Sequence, residues 1–266
     1  MPEKLTVLVP CKNEERNIRA CLESVRDLAD EILVADSGST DRTMEIAREF
    51  GARIIQREYV NSADFKNWAI PQAAHGWVMV VDADERVTPG LAAEARRVLA
   101  EGPRADAYRV GRVGFFFGHR IRRCGWGRET LTRLFRRELR YETKHVHADV
   151  VVPSGKVGRL RGELEHYTCW TFEQYFEKFG RYTTWAAMDL AERGKTASAL
   201  KMLYKPLFRF LRQYILQLGF LDGRAGLVVC GLSAFGVFTR YAKLWAMREG
   251  KPEPCEAPGA GREGGA

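Results

Sequence analysis

Apolar and polar positions alternate in blocks over the first hundred residues. LTVLVP (Leu5–Pro10), EILVAD (Glu31–Asp36), ARIIQR (Ala52–Arg57) and WVMVVD (Trp77–Asp82) are short apolar runs, the pattern of buried strands. Between them the spacing changes. Ile18, Cys21, Leu22 and Val25 recur at threes and fours within Glu15–Leu28 and predict a helix. Thr40 or Asp41 can cap a second helix over Thr43–Phe50, which Gly51 ends. Asn61 or Ser62 can cap a third through Ala74, and Pro89 fits the first turn of a fourth through Leu99. Four strand–helix alternations predict an α/β protein with a mostly parallel central sheet and helices on both faces. Ala107–Phe117 reads as a further strand. The pattern is then irregular to about Glu165, and from Trp170 onward it reads as helices. The expected division is a ligand-binding and catalytic domain over 1–165, a helical region over 166–250, and a Pro/Gly-rich disordered tail over 251–266.

Composition agrees with a folded protein: 266 residues, 45% of them hydrophobic, are enough to bury a core. The net charge of +8 favours anionic partners. Between Arg109 and Arg140 lie ten arginines and no lysine, against Glu129 and Glu138. Arginine suits bidentate phosphate contacts. Phe115, Phe116 and Phe117 are consecutive rather than interleaved with the arginines, and no nucleic-acid motif accompanies them. A phosphorylated glycolipid is therefore expected as partner, and no nucleic acid. The six cysteines form no C-x-x-C pair, which predicts reduced thiols in a cytosolic protein. Met1–Lys4 leads straight into the first strand, so no signal peptide is expected. No apolar run reaches the roughly 18–20 residues of a membrane span; the nearest is Ala225–Thr239. Within Ser198–Leu218, Lys201, Lys205, Arg209 and Arg212 form a basic stripe on a mostly apolar helix, which Pro206 would kink or divide. That pattern predicts a helix lying on a membrane surface with its cations toward anionic lipid, or else a helix packed on the catalytic domain.

Ligands of open α/β sheets bind beyond the carboxyl ends of the strands. After the first strand comes Cys11-Lys12-Asn13-Glu14-Glu15, with no glycine, so the dinucleotide fingerprint is absent. After the second comes Asp36-Ser37-Gly38-Ser39-Thr40-Asp41, and after the fourth Asp82-Ala83-Asp84-Glu85. Asp82, Asp84 and Glu85 repel one another unless a cation joins them. A D-x-D pair suits Mg²⁺ or Mn²⁺, which take one or two carboxylates plus substrate phosphates and offset the charge of a diphosphate leaving group. Asp36 is placed to accept hydrogen bonds from a base or ribose; Thr40 and Asp41 read equally well as caps. His145 and His147 make a poor zinc pair without a nearby cysteine and read better as lining an acceptor cleft or as packing residues. Trp126, between two glycines, is a stacking platform for an acceptor sugar or a half-buried structural residue.

LTVLVPCKNEERNI, ILVADSGSTDRT and VMVVDADERV resemble the blocks of family 2 glycosyltransferases with the GT-A fold. DFKNWAI, TRLFRR, KHVH, GKVGRLRGELEHY and KFGRYTTWAA are similar to pieces of the branch that includes lipopolysaccharide-core β-1,4-glucosyltransferases. The resemblance implies a metal-dependent, inverting transfer of a hexose, glucose first among them, from a UDP-sugar to a lipid-linked bacterial glycan at the inner face of the cytoplasmic membrane. It puts Pro10, Glu14, Asp36, Lys66 and Asp82 at the nucleotide-sugar, Asp84 with Asp82 at the metal, and Trp126, Arg133 and His147 toward the acceptor. Related enzymes often read V-H-E where this chain reads Val146-His147-Ala148, so the glutamate position is empty; Asp149 is the expected base, with Glu129 and Glu142 as rivals. Adjacent strand residues face opposite ways, so Asp149 replaces a glutamate at 148 only on an irregular backbone. Transfer to a polyprenyl phosphate, which needs no base, and a silent nucleotide-sugar-binding protein are the alternatives.

Overall fold

The structure, a computed structural model, describes residues 2–126, 129–142 and 148–249. Its strands are β1 (Leu5–Cys11), β2 (Glu31–Asp36), β3 (Arg53–Gln56), β4 (Trp77–Val80), β5 (Glu85–Val87), β6 (Ala107–Phe116), β7 (His119–Ile121), β8 (Glu129–Arg136), β9 (Arg140–Tyr141), β10 (Val150–Val151) and β11 (Val157–Cys169). One sheet runs β3-β2-β1-β4-β8-β6-β11-β5, with β7 pairing β6; β9 and β10 form a separate ribbon. The first four strands are mutually parallel. Beyond β4 the sheet turns mixed, because β8 runs antiparallel to both β4 and β6, while β6 and β11 are parallel.

The parallel strands are apolar throughout because both faces are covered. Leu5, Val7 and Val9 of β1 face a core shared with α1 (Ile18–Val25), α2 (Thr43–Glu49) and the apolar side of α4 (Pro89–Glu101). Leu8 and Leu33 face the opposite core with Ala63, Phe65 and Ala69 of α3 (Ser62–Ala69). The caps follow the sequence with one exception. Asn61 accepts from the Asp64 amide at 2.9 Å. Arg42, rather than Thr40 or Asp41, occupies the cap position of α2, and Asp41 Oδ1 reaches past it to accept from the Thr43 amide at 2.9 Å. The third helix stops at Ala69, because Pro71 cannot continue it and the chain closes in a 3₁₀ turn over Ile70–Gln72.

The segment expected to be irregular holds the long strands β8 and β11. In β11 only Leu160, Leu164 and Cys169 are buried, so its apolar signal is too sparse to announce a strand. Its register breaks between Arg159 and Glu163. Gly162 lies there, and a Cβ on it would stand 2.4 Å from Leu91 Cα; the break lets α4 rest directly on the strand. Thr88 fastens the same contact, accepting from the Leu91 amide at 3.3 Å and donating to the Glu163 carbonyl at 2.8 Å.

The chain divides into two compact units, Met1–Trp170 and Thr171–Ala266. The second contains α5 (Phe172–Glu192), α6 (Ala199–Leu211), a π-type turn over Arg212–Leu216, a 3₁₀ turn over Gly219–Asp222, and α7 (Gly223–Glu249). Ala187, Val237, Tyr241 and Leu244 form its core. Lys243 Nζ ties α7 to α5 through the Gly180 carbonyl and the Thr184 hydroxyl, each at 2.7 Å. Pro206 lies inside α6 without ending it. The expectation that no segment is long and apolar enough to cross a membrane does not hold: Gly219–Glu249 meets that test by length and composition. The five described cysteines are buried; burial pushes the Cys11 and Cys21 thiols far up, so both stay protonated. The tail from Gly250, with Cys255, lies outside the described residues.

Candidate active site

The acidic knot forms where β4 ends. Asp82 Oδ1 lies 3.0 Å from Lys66 Nζ, and Asp82 Oδ2 lies 2.7 Å from Arg133 Nη2. The same guanidinium reaches Glu85 Oε1 at 2.6 Å, and Arg112 approaches that oxygen at 3.3 Å. Glu85 is completely buried and also accepts from the Asp82 amide at 3.0 Å. The like charges are thus held together by protein cations from α3, β6 and β8. Burial alone would raise the Asp82 carboxyl, but Arg133 and Lys66 override it and hold it far below the carboxylate range. For Glu85, burial prevails over Arg133 and pushes its pKa up. Lys66, although buried, is held above its ordinary value by Asp82.

Arg133, expected toward the acceptor, is buried and spends its guanidinium on Asp82 and Glu85, at the wall of a hollow. Both oxygens of Asp82 are engaged by protein cations, and Asp84 is the other carboxylate of the pair. Its partner is one that the spacing did not reveal. The three-residue β5 pairs antiparallel with β11 and sets Glu85 opposite His166. The preceding residue then meets the returning chain: Asp84 Oδ2 is 3.3 Å from His166 Nε2, and the Asp84 carbonyl accepts from the Tyr167 amide at 2.8 Å. A carboxylate suits Mn²⁺ or Mg²⁺, and an imidazole beside it suits Mn²⁺ better than Mg²⁺. No cluster of three such ligands occurs among the described residues, so phosphate oxygens would have to complete the shell. The signal available in the sequence was GELEHY itself, a histidine in a stretch alternating with acids.

Two hollows flank the knot. One, of about 200 Å³, is lined by Lys66, Asp82, Arg133, Tyr141, Ala148 and Asp149, among others. Tyr141 Oη and Arg133 Nε are buried at this wall without a hydrogen-bond partner among the described residues. The other, of about 540 Å³, is lined by Gly114, Gly125, Trp126, His166 and Thr168. Arg112 and Glu129 belong to both and form the partition, joined by a 2.5 Å ion pair. Trp126 packs edge-on against Phe116, with centroids 6.0 Å apart, and Gly114 leaves room for its ring.

Ala148 and Asp149 precede β10, so strand alternation does not bind them and both line the smaller hollow. Asp149 pairs with Arg109 at 2.8 Å and accepts from the Val150 amide at 2.9 Å. Burial pushes its carboxyl up, but the Thr132 hydroxyl, the Val150 amide and Arg109 outweigh this and hold it below the ordinary value. Glu142 lines neither hollow; its amide donates to the Asp149 carbonyl at 3.0 Å. His145 and His147 lie outside the described residues.

At the other strand ends, Asp36 is completely buried, and its carboxylate accepts from the Ser39 amide at 3.0 Å and from Gln56 at 2.9 Å. It braces the loop after β2 rather than presenting free oxygens. Pro10 sits within β1 opposite Ala35. Asn13, in the left-handed region at φ 52°, accepts from the Thr40 amide at 2.8 Å, so the loops after β1 and β2 are clasped together. Glu14 accepts from Asn17 at 2.8 Å at the start of α1.

A parallel β3-β2-β1-β4 half extended by antiparallel strands, with carboxylates gathered at the strand ends, is the GT-A type of glycosyltransferase. The chain belongs to glycosyl transferase family 2, whose profile matches residues 6–161. It is 30% identical over 238 residues to the lipopolysaccharide core biosynthesis glycosyltransferase LpsC of Rhizobium meliloti, covering 87% of this chain and 85% of that protein. It is 28% identical to an uncharacterized glycosyltransferase of Rickettsia typhi, over 91% of this chain and 87% of the relative. Among solved structures, glucosyl-3-phosphoglycerate synthase of Mycobacterium tuberculosis, in complex with Mn²⁺, UDP and glucosyl-3-phosphoglycerate, aligns at TM-score 0.37 and 25% identity. That match spans 42% of this chain and 44% of the synthase chain.

Proposed function

We propose that this glycosyltransferase moves a hexose from a UDP-sugar to a lipid-linked bacterial glycan of the lipopolysaccharide-core type, with inversion and with a divalent metal, at the cytoplasmic face of the inner membrane. The observation that carries the reading is the meeting of Asp84 and His166 at 3.3 Å beside a hollow shared by Trp126 and Glu129. The likeness to a lipopolysaccharide core enzyme supports the acceptor class. Asp84 and His166 would hold Mn²⁺ or Mg²⁺, which when bound supplies charge compensation for the departing diphosphate. Lys66, braced on Asp82, adds a fixed positive charge at the same rim. Trp126 offers a face for the acceptor sugar.

Glu129 is the carboxylate that borders the Trp126 hollow, and it takes the acceptor hydroxyl proton as that oxygen attacks the anomeric carbon and the bond to diphosphate breaks. Asp149, the base expected from the sequence, is the rival; its carboxyl is held below the ordinary value, which weakens it as a proton acceptor. Arg112 holds the Glu129 carboxylate in place, donating to Oε2 at 3.1 and 2.5 Å.

Thermal unfolding with UDP, GDP, TDP, ADP and CMP, each with and without Mn²⁺, tests the donor site. Stabilisation by UDP that needs Mn²⁺ is expected, about 2.7 kcal/mol at a hundredfold excess over Kd. Asp84→Ala and His166→Ala should both lose the metal-dependent part. Glu129→Gln should keep the UDP response and lose transfer by about 10²–10⁴-fold. An active Glu129→Gln beside an inactive Asp149→Asn moves the base to Asp149. Activity in both points to an acceptor that needs no base, such as a polyprenyl phosphate, and UDP binding without turnover by the native chain marks a silent protein.

A further inference from the structure

Helix α6 is turned inside out. None of its residues is buried. Leu200 and Leu203 are each 71% exposed, and Leu207, Phe208 and Leu211 continue the same stripe into Leu216, which is 74% exposed. This spacing of threes and fours is an apolar helix face, and it points away from α7. Two members of the basic stripe expected to meet lipid, Lys201 and Lys205, are engaged within the helical unit instead. Lys201 Nζ donates to the Thr196 carbonyl at 2.9 Å, and Lys205 Nζ sits 5.5 Å from the ring centroid of Tyr241 on α7. Helix α7 repeats the arrangement: Gly226, Val229, Val237, Tyr241 and Leu244 are buried, while Leu227, Val228, Phe235, Phe238 and Trp245 are exposed on another face. An apolar face of this extent is rare on a soluble monomer and marks an interaction site.

We infer that the exposed apolar face of α6, its following turn and α7 seats in the outer acyl layer of an anionic membrane, without crossing it. Charge selects the partner. Residues 198–249 carry eight lysines and arginines against Asp222 and Glu249. Arg212 and Arg224 are exposed at the turn between the helices, beside Leu216 and Leu221, where anionic headgroups would meet them. A second copy would bring the same positive charge to the contact. Depth follows from α5. It packs along α7 and carries Glu173, Glu177, Lys178, Arg181 and Asp189, charges that are costly inside hydrocarbon, so the helices lie flat. The inference deepens the membrane placement proposed above but stands on the second unit alone, so failure of donor binding leaves it intact.

The test floats the full-length protein with phosphatidylcholine vesicles, with and without one-third phosphatidylglycerol. Flotation with the anionic vesicles, release by alkaline carbonate and little binding to pure phosphatidylcholine are expected. Leu203→Asp with Leu207→Asp should lower the bound fraction by about tenfold or more, since two large apolar side chains leave the seat. The same variant should keep its circular dichroism and its melting response to UDP with Mn²⁺. Leu203→Ser with Leu207→Ser, milder in charge, should also lose binding, which guards against a folding defect. No flotation, equal binding to both vesicles, or retention through the carbonate wash overturns the inference. So does a stable dimer by light scattering that the double variant dissolves, because the face would then belong to a second copy.

Discussion

At the scale of single residues, the two aspartates were legible and their partners were not. Asp82 and Asp84 follow an apolar strand directly, so a reader of the sequence finds them. Lys66, Arg133 and His166 come from α3, β8 and β11, and only the sheet order brings them near. The sequence suggested a metal as the cation holding the knot together; the structure shows that Arg133 and Lys66 already do so for Asp82 and Glu85. A buried ion pair loses about 3–5 kcal/mol when one member is removed, because the other is left uncompensated. Arg133→Met should therefore destabilise the protein by about that amount near pH 7. The sign with pH is fixed by Glu85, whose folded pKa is already raised by burial. Without Arg133 it rises further, and a group with a raised folded pKa is best tolerated where it is protonated. The deficit of Arg133→Met in urea unfolding should shrink as the pH falls to about 5. A deficit that grows on acidification would mean that Glu85 is not the uncompensated group.

At the scale of elements, the parallel half of the sheet could be read because strands covered on both faces are continuous apolar runs. The mixed half could not. β8 and β11 carry arginines and glutamates on a half-exposed face, and those charges are consumed locally: Arg112 by Glu129, Arg120 by Glu163, Arg136 by Asp106. The arginine-rich stretch that looked like a broad phosphate-binding surface is in good part paired with acids. Gly162 shows how little sequence signal a decisive contact needs. It permits α4 to lie against β11 at backbone distance, and the break in register beside it re-aims the strand that delivers His166. Gly162→Ala places a methyl 2.4 Å from Leu91 Cα, which only a backbone shift can relieve. Overpacking of this kind costs about 1–3 kcal/mol. The expected result is a lower urea midpoint together with a weaker Mn²⁺-dependent response to UDP, since the shift propagates along β11 to His166. A variant that loses stability but keeps the full metal response would separate the α4 contact from the site.

At the scale of the whole molecule, net charge was legible and its placement was not. The excess of +8 suggested one basic surface, whereas the first unit pairs much of its arginine with acids and the second exposes many large apolar side chains. Charge also sets the response to acid. Burial pushes Asp82, Glu31, Asp41 and Asp149 up, but in each case stronger opposing contacts leave the pKa lowered. These are Arg133 and Lys66 for Asp82, Thr6 and the Ala74 amide for Glu31, Thr43 for Asp41, and Thr132 with the Val150 amide for Asp149. A carboxylate with a depressed folded pKa contributes stability above its unfolded value of about 4, and loses it as the pH falls through the folded value. Glu85 acts in the opposite sense, easing as it takes a proton on the way down. Stability should therefore stay level or rise slightly from about pH 7 to about pH 5, and then fall below about pH 4, where four carboxylates outweigh one. Their protonation also raises the positive charge of an already basic chain, and the added self-repulsion steepens the fall. Salt should soften that second part by screening and change the first less, because contacts at hydrogen-bond distance lie well inside the screening length. Urea midpoints along this pH series, at low and high salt, check both parts. A midpoint that declines between about pH 7 and about pH 5 would show that groups other than these carboxylates govern the stability.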